Sequence, residues 1–286
     1  MKQIQWYPGH MAKTKRQLKE KMKQIDVVLE LVDARAPKSS MNPIIPDISQ
    51  NTQRVVVMNK ADLADQYHLD MWQMYFAKEG IPSIFVNAQH QKTTQKLYTL
   101  IDTVTEDMIK KAQERGINEP IIRLMIVGIP NVGKSTIINQ LAGKKKLKIG
   151  DKPGVTRQTQ FITVRKGLEV MDTPGILWPK FDDEAIALKL ALIGAIKDSI
   201  LPIDNVVIYG LNYLLEHNPE ALKNYYDILL SDDVIEVLDN IGRARGCIMR
   251  GNEIDYDRVY SLFLHDFRHL KFGRLCLDEV TDFETI

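Results

Sequence analysis

Apolar positions fall into two textures along the chain. Through about residue 172, short Val- and Ile-rich runs alternate with stretches of helical spacing. Residues 27–32, 54–58, 83–86 and 121–127 are brief, apolar and closed by turn-forming residues, so each predicts a buried strand. Residues 69–80 and 97–111 set apolar side chains three and four apart and predict helices, the first stopped by Gly80. Residues 136–141 repeat that spacing directly after the fourth strand, and 160–165 with 168–171 predict a hairpin across Lys166-Gly167. After Asp182, strand signals mostly vanish. Helical runs follow at 184–200, 206–216, 221–230, 234–241 and 257–270, and 242–251 reads as a loop carrying Arg243, Arg245 and Arg250. Alternating strands and helices imply an α/β fold, a mostly parallel sheet with helices on both faces, and the remainder an all-α helical domain. The predicted division is 1–178 and 179–286, with a basic segment at 1–24.

Composition narrows little. The chain has 286 residues, 44% of them hydrophobic and 26% charged, which suits a globular protein with a sizeable core. Net charge is +1, so the overall balance selects no partner, but the distribution is uneven. Lys13, Lys15, Arg16, Lys19, Lys21 and Lys23 face a single acid, Glu20, and 144–148 is nearly all lysine. Such clusters fit either a solvated face or contacts to a phosphate backbone. Cys247 and Cys276 form no C-x-x-C pair, so reduced thiols and a cytoplasmic setting are expected. No signal-peptide core opens the chain, and the most apolar run, 27–32, contains Glu30 and is too short to span a bilayer. His265 and His269 have the spacing of a helical metal pair but lack a third ligand, which favours a solvated helix face.

The chemistry concentrates in loops after strands. Gly128-Ile129-Pro130-Asn131-Val132-Gly133-Lys134-Ser135 fits G-x-x-x-x-G-K-[ST] between a strand and a helix. Backbone N–H groups of Asn131, Val132, Gly133 and Thr136 and the helix N-terminus would cradle phosphates. Lys134 would reach the terminal phosphates and Ser135 would ligate Mg²⁺. Asn59-Lys60-Ala61-Asp62 matches N-K-x-D. The Asp62 carboxylate can accept from guanine N1–H and N2 together, a donor pair that adenine lacks. Asn59 would tie the loop down, and the Lys60 stem would lie along the base. Asn87-Ala88 would bring a backbone N–H toward guanine O6. Asp172-Thr173-Pro174-Gly175 matches D-x-x-G, with Asp172 on Mg²⁺ and the Gly175 N–H on the γ-phosphate. Thr156 is the candidate second Mg²⁺ hydroxyl.

The order of these motifs is inverted relative to Ras-type GTPases, because 59–62 and 87–88 precede the P-loop. With Trp6-Tyr7-Pro8-Gly9-His10-Met11, Asp33-Ala34-Arg35-Ala36-Pro37, Pro153-Gly154-Val155-Thr156 and Asp172 to Pro179, the chain resembles the circularly permuted GTPases, and among them the bacterial ribosome biogenesis GTPase A family. The resemblance implies GTP as substrate and a role in late assembly of the large ribosomal subunit, through binding its precursor and rRNA. A monomer is expected, with no membrane partner. A GTP-dependent switch on another RNA or protein partner is the alternative, and a P-loop ATPase or kinase is a more distant one that 59–62 opposes. Ile176 stands where Ras-type enzymes have the water-orienting Gln. The resemblance points to His10 as the catalytic group instead; contact with rRNA or a partner is its other reading. By the same similarity Asn131 is a candidate K⁺ ligand. The D-x-x-G loop leads straight into the helical part, so the γ-phosphate is expected to move that part.

Overall fold

A sheet of six strands is built from segments that are driest at its centre, over Val27–Asp33 and Ile122–Gly128, and half-exposed at its edges, over Ser83–Val86 and Phe161–Arg165. A computed structural model describes residues 16, 18–50, 52–90, 92–143, 161–172, 183–198 and 202–282. Strands β1 (Val27–Asp33), β2 (Gln53–Asn59), β3 (Ser83–Val86), β4 (Ile122–Gly128), β5 (Phe161–Arg165) and β6 (Leu168–Asp172) lie in the order β3-β2-β1-β4-β6-β5. All neighbours are parallel except the β5–β6 hairpin. Every residue of β1 is buried, as a central strand covered on both faces requires. Glu30 is the polar exception. Its carboxylate accepts from Arg54 at 2.7 Å and from the Asn42 N–H at 2.9 Å, so the buried charge is compensated.

Pairing register levels the carboxyl ends of the strands. Asp33 pairs with Asn59, Asn59 with Val86, Leu31 with Gly128, and Ile126 with Asp172. Helices α1 (Ile44–Ile48), α2 (Gln66–Lys78), α3 (Lys92–Glu114) and α4 (Lys134–Ala142) link them. In α2, Leu69, Trp72 and Phe76 share one stripe and pack with Val56 and Met58 of β2. Asp65 caps its start by accepting from the His68 N–H at 3.2 Å. α3 begins five residues before the predicted start and runs on to Glu114, with Thr93, Leu97, Ile101 and Thr105 buried at four-residue intervals. On the same face of the sheet, Leu18, Met22 and Ile25 pack with Val28, Met125 and Val127, so the described end of the basic segment, residues 18–22, is a helical turn whose stripe is core.

The chain forms two compact units, one drawing on residues up to 181 and again from 276, the other comprising 182–275. The helical part is therefore an insertion rather than the 179–286 tail expected. The reason is a polar anchor. The Ser39 N–H and hydroxyl donate to the buried Asp278 carboxylate at 2.7 and 2.6 Å, and Trp72 Nε1 donates to the Asp278 carbonyl at 3.0 Å. The Leu277 N–H also donates to the Arg35 carbonyl at 2.7 Å.

In the inserted unit, α5 (Glu184–Leu192), α6 (Ile203–His217), α7 (Pro219–Tyr226), α8 (Val234–Ala244) and α9 (Tyr256–Arg268) surround an aromatic group. Phe272 lies 5.7 Å from both Tyr226 and Phe263, centroid to centroid. The run expected over 184–200 breaks at Leu192. Gly194 adopts φ +78°, the Ala195 N–H turns back to the Leu190 carbonyl at 2.8 Å, and Arg268 donates to the Ala191 and Leu192 carbonyls. Arg243, expected in a loop, instead sits in the last turn of α8, which continues because Gly242 leaves room for Ile254 and Val259.

Candidate nucleotide site

The carboxyl edge of the sheet gathers the loops that the motifs occupy. β4 ends at Gly128, the chain turns through 129–133, and α4 starts at Lys134. Asn131 takes φ +58° and Gly133 φ +100°, the left-handed curl that points successive N–H groups to one side. A side chain at Gly133 would collide with Asn59 Nδ2, so the last P-loop glycine is required by the neighbouring loop as well as by the turn. The first helical bond of α4 runs from the Ile137 N–H to the Gly133 carbonyl at 3.0 Å. The N–H groups ahead of it face the helix end and attract anions. Lys134 is buried, and its Nζ donates to the Gly128 and Ile129 carbonyls at 3.1 and 2.8 Å. Ser135 and Thr136 are half-buried in the first turn, while Asn131 is exposed.

Asn59 is where the edge is joined. Its Nδ2 donates to the Val132 carbonyl of the P-loop at 2.7 Å. Its Oδ1 accepts from the Ala88 N–H at 2.9 Å, and its backbone carbonyl accepts from the Ala34 N–H at 2.8 Å. One buried residue, through its side-chain amide and its backbone carbonyl, thus connects the end of β2 with the loops after β1, β3 and β4. The Ala88 N–H, expected toward guanine O6, is in this arrangement donated to Asn59, and a contact to O6 would replace that bond. The Ala88 carbonyl accepts from Gln140 Nε2 at 2.8 Å, and Gln140 Oε1 accepts from the Thr94 hydroxyl at 2.8 Å. Asn87 Oδ1 accepts from the Gln89 N–H at 2.8 Å, closing the loop after β3 on itself.

The N-K-x-D segment continues into a single 3₁₀ turn, Ala61–Leu63, with Asp62 exposed on it. Lys60 just before the turn has φ +63° and ψ +36°. Its Nζ donates to Asp33 Oδ2 at 2.9 Å. The same carboxylate accepts Arg35 Nη2 on Oδ2 and Arg35 Nε on Oδ1, each at 2.9 Å. Burial of Asp33 favours its neutral form, but Arg35 and then Lys60 outweigh it and hold the carboxyl at about 2. Asp172 closes β6 beside the P-loop strand. His10, Thr156, Gly175, the lysines at 144–148 and the linker at 173–182 lie outside the described residues.

Structure therefore bonds Asn59 to Val132 and Ala88, with Gly133 packed against it and Lys60 next in the chain, and with Lys134 and Ser135 on the helix that follows. Sequence reasoning gave no role to Asp33 or Gln140. Asp33 had a visible signal, a lone acid ending an apolar strand two residues before an arginine. Gln140 had none, since a glutamine on a helix says nothing of which loop it faces. Among the described residues no group of three or more His, Cys, Asp or Glu forms a metal cluster, and His265 and His269 stack on each other at 4.0 Å. An Mg²⁺ ion needs few protein ligands in such sites, and Ser135 at the helix start and Asp172 at the end of the adjacent strand are residue types that suit its oxygen preference. No described helix is long and apolar enough to cross a membrane.

Residues 123–238 match a family described as "50S ribosome-binding GTPase". Ribosome biogenesis GTPase A of Bacillus licheniformis is 46% identical over 280 residues, covering 98% of this chain and 99% of the relative. The Bacillus cereus protein of that name is 47% identical over 281 residues, covering 98% and 95%. Among solved structures, GNP-bound YlqF from T. maritima matches with a TM-score of 0.66 and 26% identity, over 93% of this chain and 98% of that one. Its GDP-bound structure matches with a TM-score of 0.66 and 25% identity, over 93% and 100%.

Proposed function

The chain belongs to the ribosome biogenesis GTPase A family, a family of circularly permuted GTPases, and from that premise we propose that it hydrolyses GTP while bound to the precursor of the large ribosomal subunit and its rRNA, promoting late assembly. The carrying observation is the Asn59 amide, which bonds the P-loop at the Val132 carbonyl and so closes a guanine-reading loop onto a phosphate-binding one. The ribosomal partner rests on the printed names of the relatives and of the matched family. Cosedimentation with large-subunit precursors in GTP, GDP and nucleotide-free buffer tests it. Pelleting that ignores the nucleotide, or that is absent, favours a switch on another partner. The working compartment is the cytoplasm and the working form a monomer.

Within the site, Asp62 reads guanine and the P-loop N–H groups with Lys134 hold the phosphates. Ser135, Thr156 and Asp172 would hold Mg²⁺, which when bound neutralises charge on the phosphate oxygens. Ile176 cannot orient water, so the partner-bound state supplies what the side chain lacks. His10 is the group we assign to that task, since a neutral imidazole can orient or accept from water. His10→Ala should lose particle-stimulated turnover and keep GTP binding; unchanged turnover removes the assignment. Asn131 is assigned to K⁺, whose charge would sit near the bridging phosphates. Equal turnover in Na⁺ and K⁺ removes that second assignment.

A further inference from the structure

We propose that Asp33 is a positioning residue for Lys60, and through it sets how firmly the site grips the guanine base. The inference rests on 59–62 being the guanine reader. It goes further by naming a residue outside that motif on which the motif depends.

Three observations carry it. First, β1 and β2 end level with each other, Asp33 opposite Asn59, so the carboxylate stands beside the residue that precedes Lys60. Second, the carboxylate is itself immobile. It is buried, and it accepts from the Arg35 N–H at 3.1 Å, from Arg35 Nε and Nη2 at 2.9 Å each, and from Lys60 Nζ at 2.9 Å. The bidentate arginine fixes the plane of the carboxylate, and the lysine comes to it. Third, Lys60 has a left-handed backbone, unusual for a side chain with a Cβ, and its side chain is only 27% exposed. With its Cα held in that conformation and its Nζ held by Asp33, the four methylenes between are tethered at both ends and form a rail. A base laid along that rail would not have to freeze a loose lysine, and the rotamer freedom that binding would otherwise remove is already gone. Ionic character matters here, because a neutral amide at position 33 would leave Arg35 and Lys60 competing for one weaker acceptor.

Titration with a fluorescent GDP analogue and a fluorescent GTP analogue tests this on the full-length protein. Asp33→Asn and Lys60→Met should each weaken both nucleotides by about tenfold, the scale of a charge-assisted bond lost at a partly exposed site. The double variant should be no weaker than the worse single, since both remove one device. Lys60→Arg keeps a cation for Asp33 and should stay within roughly threefold of the parent. The loss should fall on KM for GTP rather than on kcat. Losses that multiply in the double variant overturn the proposal, because Asp33 would then act by another route. So does an unchanged affinity in Asp33→Asn, or equal loss in Lys60→Arg and Lys60→Met. Should Asp33→Asn fail to fold, the Lys60 pair alone decides. Asp62→Ala separates the premise from the inference: if it leaves GDP affinity intact, the guanine reading fails. If it abolishes affinity while Asp33→Asn does not change it, only the positioning fails.

Discussion

The nucleotide edge and the inserted helical unit are held together in opposite ways. At the edge, loops far apart in sequence are tied by side chains bonding to backbone: Asn59 to Val132 and Ala88, Gln140 to Ala88, and Asp278 to Ser39. In the helical unit, Asp183, Asp233 and Asp255 cap the helices they begin, and the distant polar ties are fewer, chiefly Arg268 to Ala191 and Leu192 and Asn218 to the Phe272 carbonyl. Beside these ties lies an apolar interior that includes Leu211, Leu214, Val237, Phe263 and Phe272, all fully buried or nearly so. Loops cannot bury enough apolar surface to fix themselves, so they need directional bonds to hold a shape. Helices fix their own backbone and need only a greasy stripe. The edge should therefore fail in binding before it fails in stability, and the helical unit the reverse.

Phe263→Ala gives the largest expected effect. Removing a buried ring should cost about 3–5 kcal/mol of stability, read by thermal melting, with nucleotide affinity kept wherever the fold persists. Affinity that fell in parallel would break the contrast. Asn59→Ala comes next. It strands the Val132 carbonyl and the Ala88 N–H, each costing about 1–3 kcal/mol when unpaired, and GDP affinity should drop by more than about a hundredfold. If melting shifted while affinity held, the edge would be stabilised like the helical unit. Acid sharpens the comparison further. Asp33 has its folded pKa pulled down from 3.8 to about 2, so its ionised form adds stability that is present above pH 4 and lost as pH falls toward 2. Asp33→Asn should flatten that acid limb in pH-dependent melting, and an unchanged limb would assign it elsewhere. The smallest effect belongs to Asp233→Ala, which loses the bond to the Ile235 N–H at 2.9 Å and about 1 kcal/mol, with affinity untouched.

The same contrast explains what could be read from the sequence. Strands and helices were legible because period and turn residues are local signals; β1, β3 and the 166–167 hairpin fall within a residue or two of expectation. The motif loops were legible because their chemistry demands fixed residue types at fixed spacing. The ties between loops were not. Nothing local says that Gln140 faces Ala88, that Asp33 meets Lys60, or that Asp278 reaches Ser39 across 239 positions. The helix break after Leu192 was also missed, since Gly194 supplies only half of that stop and Arg268 supplies the rest.

The return of the chain at residue 276 has a consequence for biosynthesis. A chain growing from its N-terminus makes 276–282 only after all of 182–275 has been produced. Until then Ser39 has no Asp278 to hold it and Trp72 Nε1 has no carbonyl to meet. The loop after β1, which follows Asp33 and carries Ser39, is thus finished late in translation. A nascent chain with its P-loop already folded would still have an unbraced base-reading side, so full guanine affinity should arrive with the closing segment. A chain stalled before residue 276 would display the phosphate cradle without its complete brace.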